Sequence, residues 1–139
     1  MPRASRRGGD AAKRHADTLR FVLLEARPAG LLFHQLTRAS DLSPSQVRAG
    51  LACLRDIIAE SGWPPLIWTR ADGYLLGAEP VALQAYERAV LTGKLTEFRR
   101  FLTGTVAPHA TAHPGDKWVK HIIAQLNSIE STLDLVVSS

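Results

Sequence analysis

A chain of 139 residues with one cysteine, Cys53, can form no internal disulfide and no cysteine-based zinc site. Cys53 stands beside an apolar stripe and reads as a small, half-buried packing residue. Long apolar runs are missing as well. None approaches the ~20 residues that cross a bilayer, and no signal-peptide pattern opens the chain. A cytoplasmic protein with no membrane partner is expected. Aromatic residues are only 6% of the chain, and the hydrophobic fraction is 45%, so the core has to come mainly from aliphatic side chains. That composition suits one domain, or a small domain with an appended helical part.

Catalytic groupings are equally scarce. His15, His34, His109, His113 and His121 are scattered, and none stands at a fixed spacing from a serine or cysteine nucleophile. His109 and His113 have the separation of a ligand pair, but they fall in a stretch read as a Pro/Gly loop without a supporting carboxylate or cysteine. No phosphate-cradling glycine motif is present. Glu87 and Glu97 read as solvated helix faces rather than an acid and a base. No enzyme activity, metal or cofactor is expected.

Charge is present, and it is unevenly placed. The formal net charge is +4. Residues 1–14 carry Arg3, Arg6, Arg7, Lys13 and Arg14 against Asp10, whereas residues 15–78 and 79–139 are each balanced. Residues 1–12 therefore read as a disordered basic arm with no apolar residue to anchor its first part. Such an arm either tracks phosphates or a minor groove, or serves as a solubilising tail.

The best-defined stretch begins at Ser43. Ser43 and Gln46 have the spacing of a capping box, and Pro44 occupies the first helical position, where a missing amide costs nothing. Val47, Leu51, Leu54 and Ile58 then recur as one helical stripe up to Ser61. The opposite side carries Ser45, Arg48, Ala49, Ala52, Arg55 and Asp56. Before this helix, the pattern predicts one helix from Ala11 to Arg27 and another from Phe33 to Ser40. The first buries Leu19, Val22, Leu23 and Ala26, widened by Phe21 and Leu24. The second buries Leu36 and Ala39. Pro28-Ala29-Gly30 separates them, Leu31-Leu32 is a strand stub, and Ser40–Ser43 is a tight turn with Leu42 pointing inward. After Trp63-Pro64-Pro65, Leu66–Thr69 and Tyr74–Leu76 read as two strands around a hairpin turn in which Gly73 supplies the positive φ.

The segments QLTRASDLSPSQVRAGLACLRD and LIWTRADGYLL, in that order, resemble the winged helix-turn-helix superfamily over residues 15–78. The chain is also similar, without a diagnostic motif, to the RacP-like winged-helix proteins of actinobacterial plasmids and integrated elements. The first resemblance implies a mainly α fold with a small β-hairpin wing and binding of double-stranded DNA. The second implies a role in gene control or in replication of a mobile element. A recognition helix starting at Ser43 would present Ser45, Gln46, Arg48 and Ala49 to base edges. Arg48 has the chemistry for a bidentate contact to guanine, and Gln46 for adenine if the capping box releases it. Arg38, Arg55 and Arg70 would meet phosphates, with Arg3, Arg6 and Arg7 adding to them from the arm.

Residues 79–139 read as a helical dimerisation region. A helix starts at Pro80, with a candidate break at Gly93. A second helical piece spans Leu95–Leu102, and Gly104–Gly115 is expected to be a loop. Asp116 caps a last helix reaching about Val137. Val119, Ile122, Leu126, Ile129, Leu133 and Val136 follow a heptad-like seam flanked by Trp118. Such a strip packs either within the subunit or against a second copy, and a homodimer suits a reader of short half-sites. The competing reading is a winged-helix protein–protein adaptor, favoured by the neutral charge of residues 15–139. Deleting residues 1–10 is expected to lower DNA affinity and flatten its salt dependence, because three arginines leave. Titrations at several salt concentrations check this, and an unchanged slope assigns the arm to solubility.

Overall fold

The structure, a computed structural model, describes residues 9–139. Arg3, Arg6 and Arg7 lie outside the described residues. The chain is mainly helical with a two-stranded antiparallel hairpin. Its elements run α1 (Asp10–Ala26), α2 (Phe33–Ser40), α3 (Pro44–Ser61), β1 (Leu66–Thr69), β2 (Gly73–Leu76), α4 (Pro80–Phe101), a π-helical turn (Leu102–Val106), α5 (Ala107–Ala112) and α6 (Lys117–Ser138). Two compact units meet inside α4, between Leu83 and Gln84.

In the first unit, Ala12, Ala16, Leu19 and Leu23 form the buried stripe of α1. The helix starts at Asp10, so residues 10–12 belong to it and not to an arm. The small side chain of Ala12 enters the core, and Asp10 sits in the first turn, where the helix dipole favours a carboxylate. Phe21, expected to widen the stripe, is 63% exposed. It lies two residues from both Leu19 and Leu23, which puts it on the other side of the helix. Ala39 is also exposed, because the short α2 buries only Leu36.

The stripe of α1 packs on α3 through Val47, Gly50, Leu51, Cys53 and Leu54. Gly50 is required by proximity. A Cβ there would come within 2.7 Å of Leu19 Cδ1 and 3.0 Å of His15 Cβ. Cys53 is fully buried rather than half-buried.

The hairpin pairs Leu66 with Leu76, Ile67 with Leu75, Trp68 with Tyr74 and Thr69 with Gly73. Leu31 adds a single bridge, exchanging two 2.8 Å backbone hydrogen bonds with Tyr74. Gly73 has φ +76°, and a Cβ on it would collide with the Leu31 carbonyl. The glycine thus serves the turn and the bridge together.

In the second unit, α4 runs unbroken through Gly93, and the chain stays helical well past Gly104. The expected loop is shorter because Leu102 and Val106, four residues apart, pack together on Val119. Pro108 is tolerated in the first turn of α5, directly after the wider π-helical turn. Arg99 donates to Glu130 at 2.8 Å and Asp134 at 2.9 Å, and Arg88 donates to the Val137 and Ser139 carbonyls at 3.1 and 2.8 Å. These pairings run α4 and α6 antiparallel.

The expected dimer seam is divided by this packing. Val119 is buried and Ile122, Ile123 and Leu126 lie half-buried against Leu102, Val106 and Ala110 within the unit. Those seam positions are occupied by the subunit itself, whereas Trp118, Ile129, Leu135 and Val136 remain exposed and Leu133 is half-buried.

Asp116 caps α6. Its Oδ1 accepts from the amides of Trp118 at 2.8 Å and Val119 at 3.3 Å, and its Oδ2 lies 3.0 Å from His109 Nε2. The Val119 amide bond, followed by the Trp118 amide and the His109 ring, holds the Asp116 carboxyl below the ordinary carboxylate range. Such a depressed group stabilises the fold above its unfolded pKa and loses that contribution as pH falls through the folded one. Asp116→Asn, which caps without titrating, is expected to remove part of the acid-side loss of stability. Thermal melts from about pH 6 to about pH 3 check this, since the window brackets an ordinary carboxylate pKa near 4; identical pH profiles would refute it.

Candidate nucleic-acid interface

The turn before α3 is built from local rules. Asp41 ends α2 in the left-handed region at φ +57°, and Leu42 packs half-buried on the core. Ser43 Oγ then accepts from the Gln46 amide at 3.2 Å, and Gln46 Oε1 accepts from the Ser43 amide at 2.9 Å. Both halves of the capping box are closed, so the first turn of α3 is anchored at both ends. The Gln46 carbonyl is thereby engaged. A bidentate contact to adenine needs that oxygen and would have to open the box.

With Val47, Gly50, Leu51, Cys53 and Leu54 facing inward, the solvent side of α3 is determined. On a helix of about 3.6 residues per turn, Ser45, Ala52, Asp56 and Ala59 lie opposite the buried face. Arg48 and Arg55 lie along one edge of the exposed side. Ser45, Arg48, Arg55 and Asp56 are exposed, while Ala49 and Ala52 are half-buried.

Each arginine of α3 lies against an aromatic ring. The Arg48 guanidinium carbon is 5.2 Å from the centroid of Phe33, the first residue of α2. That of Arg55 is 5.8 Å from the centroid of Tyr74 in β2. Tyr74 is backed in turn by Trp68, with centroids 6.5 Å apart and planes tilted by 54°. Trp68 is 44% exposed. Phe33, Tyr74 and Trp68 had no visible role beyond packing in the sequence. The one available signal was the seven-residue interval between Arg48 and Arg55, which sets both on one stripe.

Arg38 is exposed in the last turn of α2, and Arg70 is exposed at the start of the hairpin turn. Among the described residues, none of Arg38, Arg48, Arg55 and Arg70 takes part in an ion pair. Three of them nonetheless have an exposed aspartate close in sequence: Asp41, Asp56 and Asp72. Arg48 has none.

Burial raises the Cys53 thiol above its ordinary range, which suits an inert packing residue. His109 does have a carboxylate beside it, Asp116, contrary to expectation, and the His113 ring meets it edge-on at 5.6 Å. Among the described residues, no group of three or more His, Cys, Asp or Glu could hold a metal ion, and no helix is long and apolar enough to cross a membrane.

Comparison of the chain with protein-family models, curated proteins and solved structures finds no match.

Ser43→Ala is expected to lower stability by about 1 kcal/mol, the usual worth of an N-cap, while Ser43→Asp retains it. Chemical denaturation of the two variants checks this; equal losses would show that the hydroxyl cap is not what holds the start of α3.

Proposed function

We propose that the chain is a winged helix-turn-helix protein that binds double-stranded DNA as a homodimer, without catalysis or a cofactor. The observation that carries this reading is the solvent side of α3. A doubly capped helix N-terminus presents small residues and two arginines that form no ion pair among the described residues, next to a hairpin that Leu31 ties back to the body of the unit. Small side chains let a helix approach base edges in the major groove, and arginines supply the contacts that phosphates or guanines take. The β1–β2 hairpin is the wing, with Arg70 at its turn. Arg38, at the end of α2, lies one tight turn from α3.

Self-association draws on the apolar residues that the second unit leaves outside. Trp118, Ile129 and Val136 offer a strip on α6 that a second copy would cover. The two-fold symmetry of such a dimer would match paired half-sites. A role in gene control or in replication of a mobile element follows from the resemblance in sequence.

The adaptor reading has its own support. Asp41, Asp56 and Asp72 stand among the arginines, and the exposed Trp68 offers the aromatic anchor that a protein partner uses. Binding to a pool of random duplexes at moderate salt, with sequencing of the retained fraction, separates the two. DNA binding predicts an enriched motif, and a homodimer predicts that the motif is palindromic with half-sites about one helical turn apart. A motif without symmetry removes the two-fold dimer on DNA, and no enrichment replaces DNA with a protein partner.

A further inference from the structure

Both arginines on α3 rest on aromatic rings that belong to other elements, and both occupy the edge of its exposed side. We propose that Phe33 and Tyr74 are positioning residues that hold Arg48 and Arg55 as phosphate contacts along one DNA strand, leaving the base edges to the middle of the exposed side, Ser45, Ala52 and Asp56. This rests on the DNA-binding reading above, and it changes the role that the sequence alone suggests for Arg48.

The first reason is where the guanidinium groups are. Seven residues make nearly two helical turns, so Arg48 and Arg55 are about 10.5 Å apart along one stripe. That stripe is not the middle of the exposed side, which belongs to Ser45, Ala52 and Asp56. A helix lying in a major groove points its middle at the bases and its edges at the sugar-phosphate walls. Arg48 turns to Phe33 on α2 and Arg55 to Tyr74 on the hairpin, so both are drawn sideways rather than out along the axis of approach.

The second reason is chemical. A cation over a ring is held by the ring's electrostatic face and does not use its N–H groups for the purpose. All five guanidinium N–H donors stay available for the oxygens of a phosphate, which they match in a fork. The ring restrains a long side chain before DNA arrives, so less freedom is lost on binding. The core packs against both Phe33 and Tyr74, and Trp68 flanks the Tyr74 ring, which keeps both platforms in place.

The test measures the affinity of the full chain for a labelled random-sequence duplex pool, together with the motif enriched from that pool. Arg48→Ala is expected to weaken binding to all sequences alike, leave the enriched motif unchanged and reduce the salt slope by about one. Phe33→Leu is expected to weaken binding about three- to tenfold, the ordering cost of one long side chain, with the salt slope preserved. It has no further effect when combined with Arg48→Ala. Arg48→Lys keeps the charge but loses the planar stacking, and is expected to behave like Phe33→Leu without touching the core. Tyr74→Leu and Arg55→Ala form the parallel pair.

An Arg48→Ala variant that changes the preferred base at one position makes Arg48 a base reader and overturns the proposal. So does full additivity of Phe33→Leu with Arg48→Ala. A second readout needs no DNA: in the free protein, the Arg48 Hε resonance is expected to carry a ring-current shift that disappears in Phe33→Leu. If that shift is unaffected, the ring does not hold the side chain and the proposal falls. A wild-type chain that shows the shift but binds no duplex overturns the DNA-binding reading itself, with the ring contact intact.

Discussion

The first unit depends on how closely α1 can lie on α3. Gly50 sets that distance, because any larger residue would push into Leu19 and the backbone of His15. The crossing is closed by small residues on both sides, with Ala12 and Ala16 facing α3 and Gly50 facing α1. Once the helices meet there, Val47, Leu51 and Leu54 have to point inward. The outward side of α3, with Ser45, Arg48, Arg55 and Asp56, follows from that. The orientation of the surface proposed to meet DNA is thus a consequence of packing behind it.

Local chemistry was legible in the sequence wherever a few adjacent residues decide the outcome. Ser43, Pro44 and Gln46 mark the start of α3 because a capping box is satisfied within its own turn. The hairpin is marked by Gly73 between the two short apolar runs Leu66–Thr69 and Tyr74–Leu76, and the second strand takes in Gly73 as well. Periodicity alone was less informative. Phe21 is apolar and next to the buried stripe in sequence, yet two residues along a helix lead to the far side. The stretch from Gly104 to Ala112 contains Gly and Pro and so reads as loop. Its helical state comes from Leu102 and Val106 packing on Val119, which no local pattern announces.

The candidate site divides the same way. Arginines and small residues on α3 can be assigned to one side from spacing, since the helix is regular. Their ring partners cannot. Phe33 reaches Arg48 only after α2 folds back across α3, and Tyr74 reaches Arg55 only after the hairpin closes through Leu31. The apolar seam of α6 shows the limit in a different form. A heptad-like pattern states that a strip is to be buried, and it is silent about whether the covering surface comes from the same chain. Here Val119, Ile122 and Leu126 find it within the unit.

The π-helical turn at Leu102–Val106 holds one more residue per hydrogen-bonded ring than the α-helices on either side. Geometrically it is a helix that accommodates one extra residue. A chain one residue shorter at Gly104 would restore an uninterrupted α-helix, and everything after it would rotate by about 100°. Val106 would leave Val119, and the small core of the second unit would lose its centre. Length in this segment is therefore as constrained as residue identity. Chains related by descent are expected to keep the spacing between Leu102 and Val106 even where the residues between them differ.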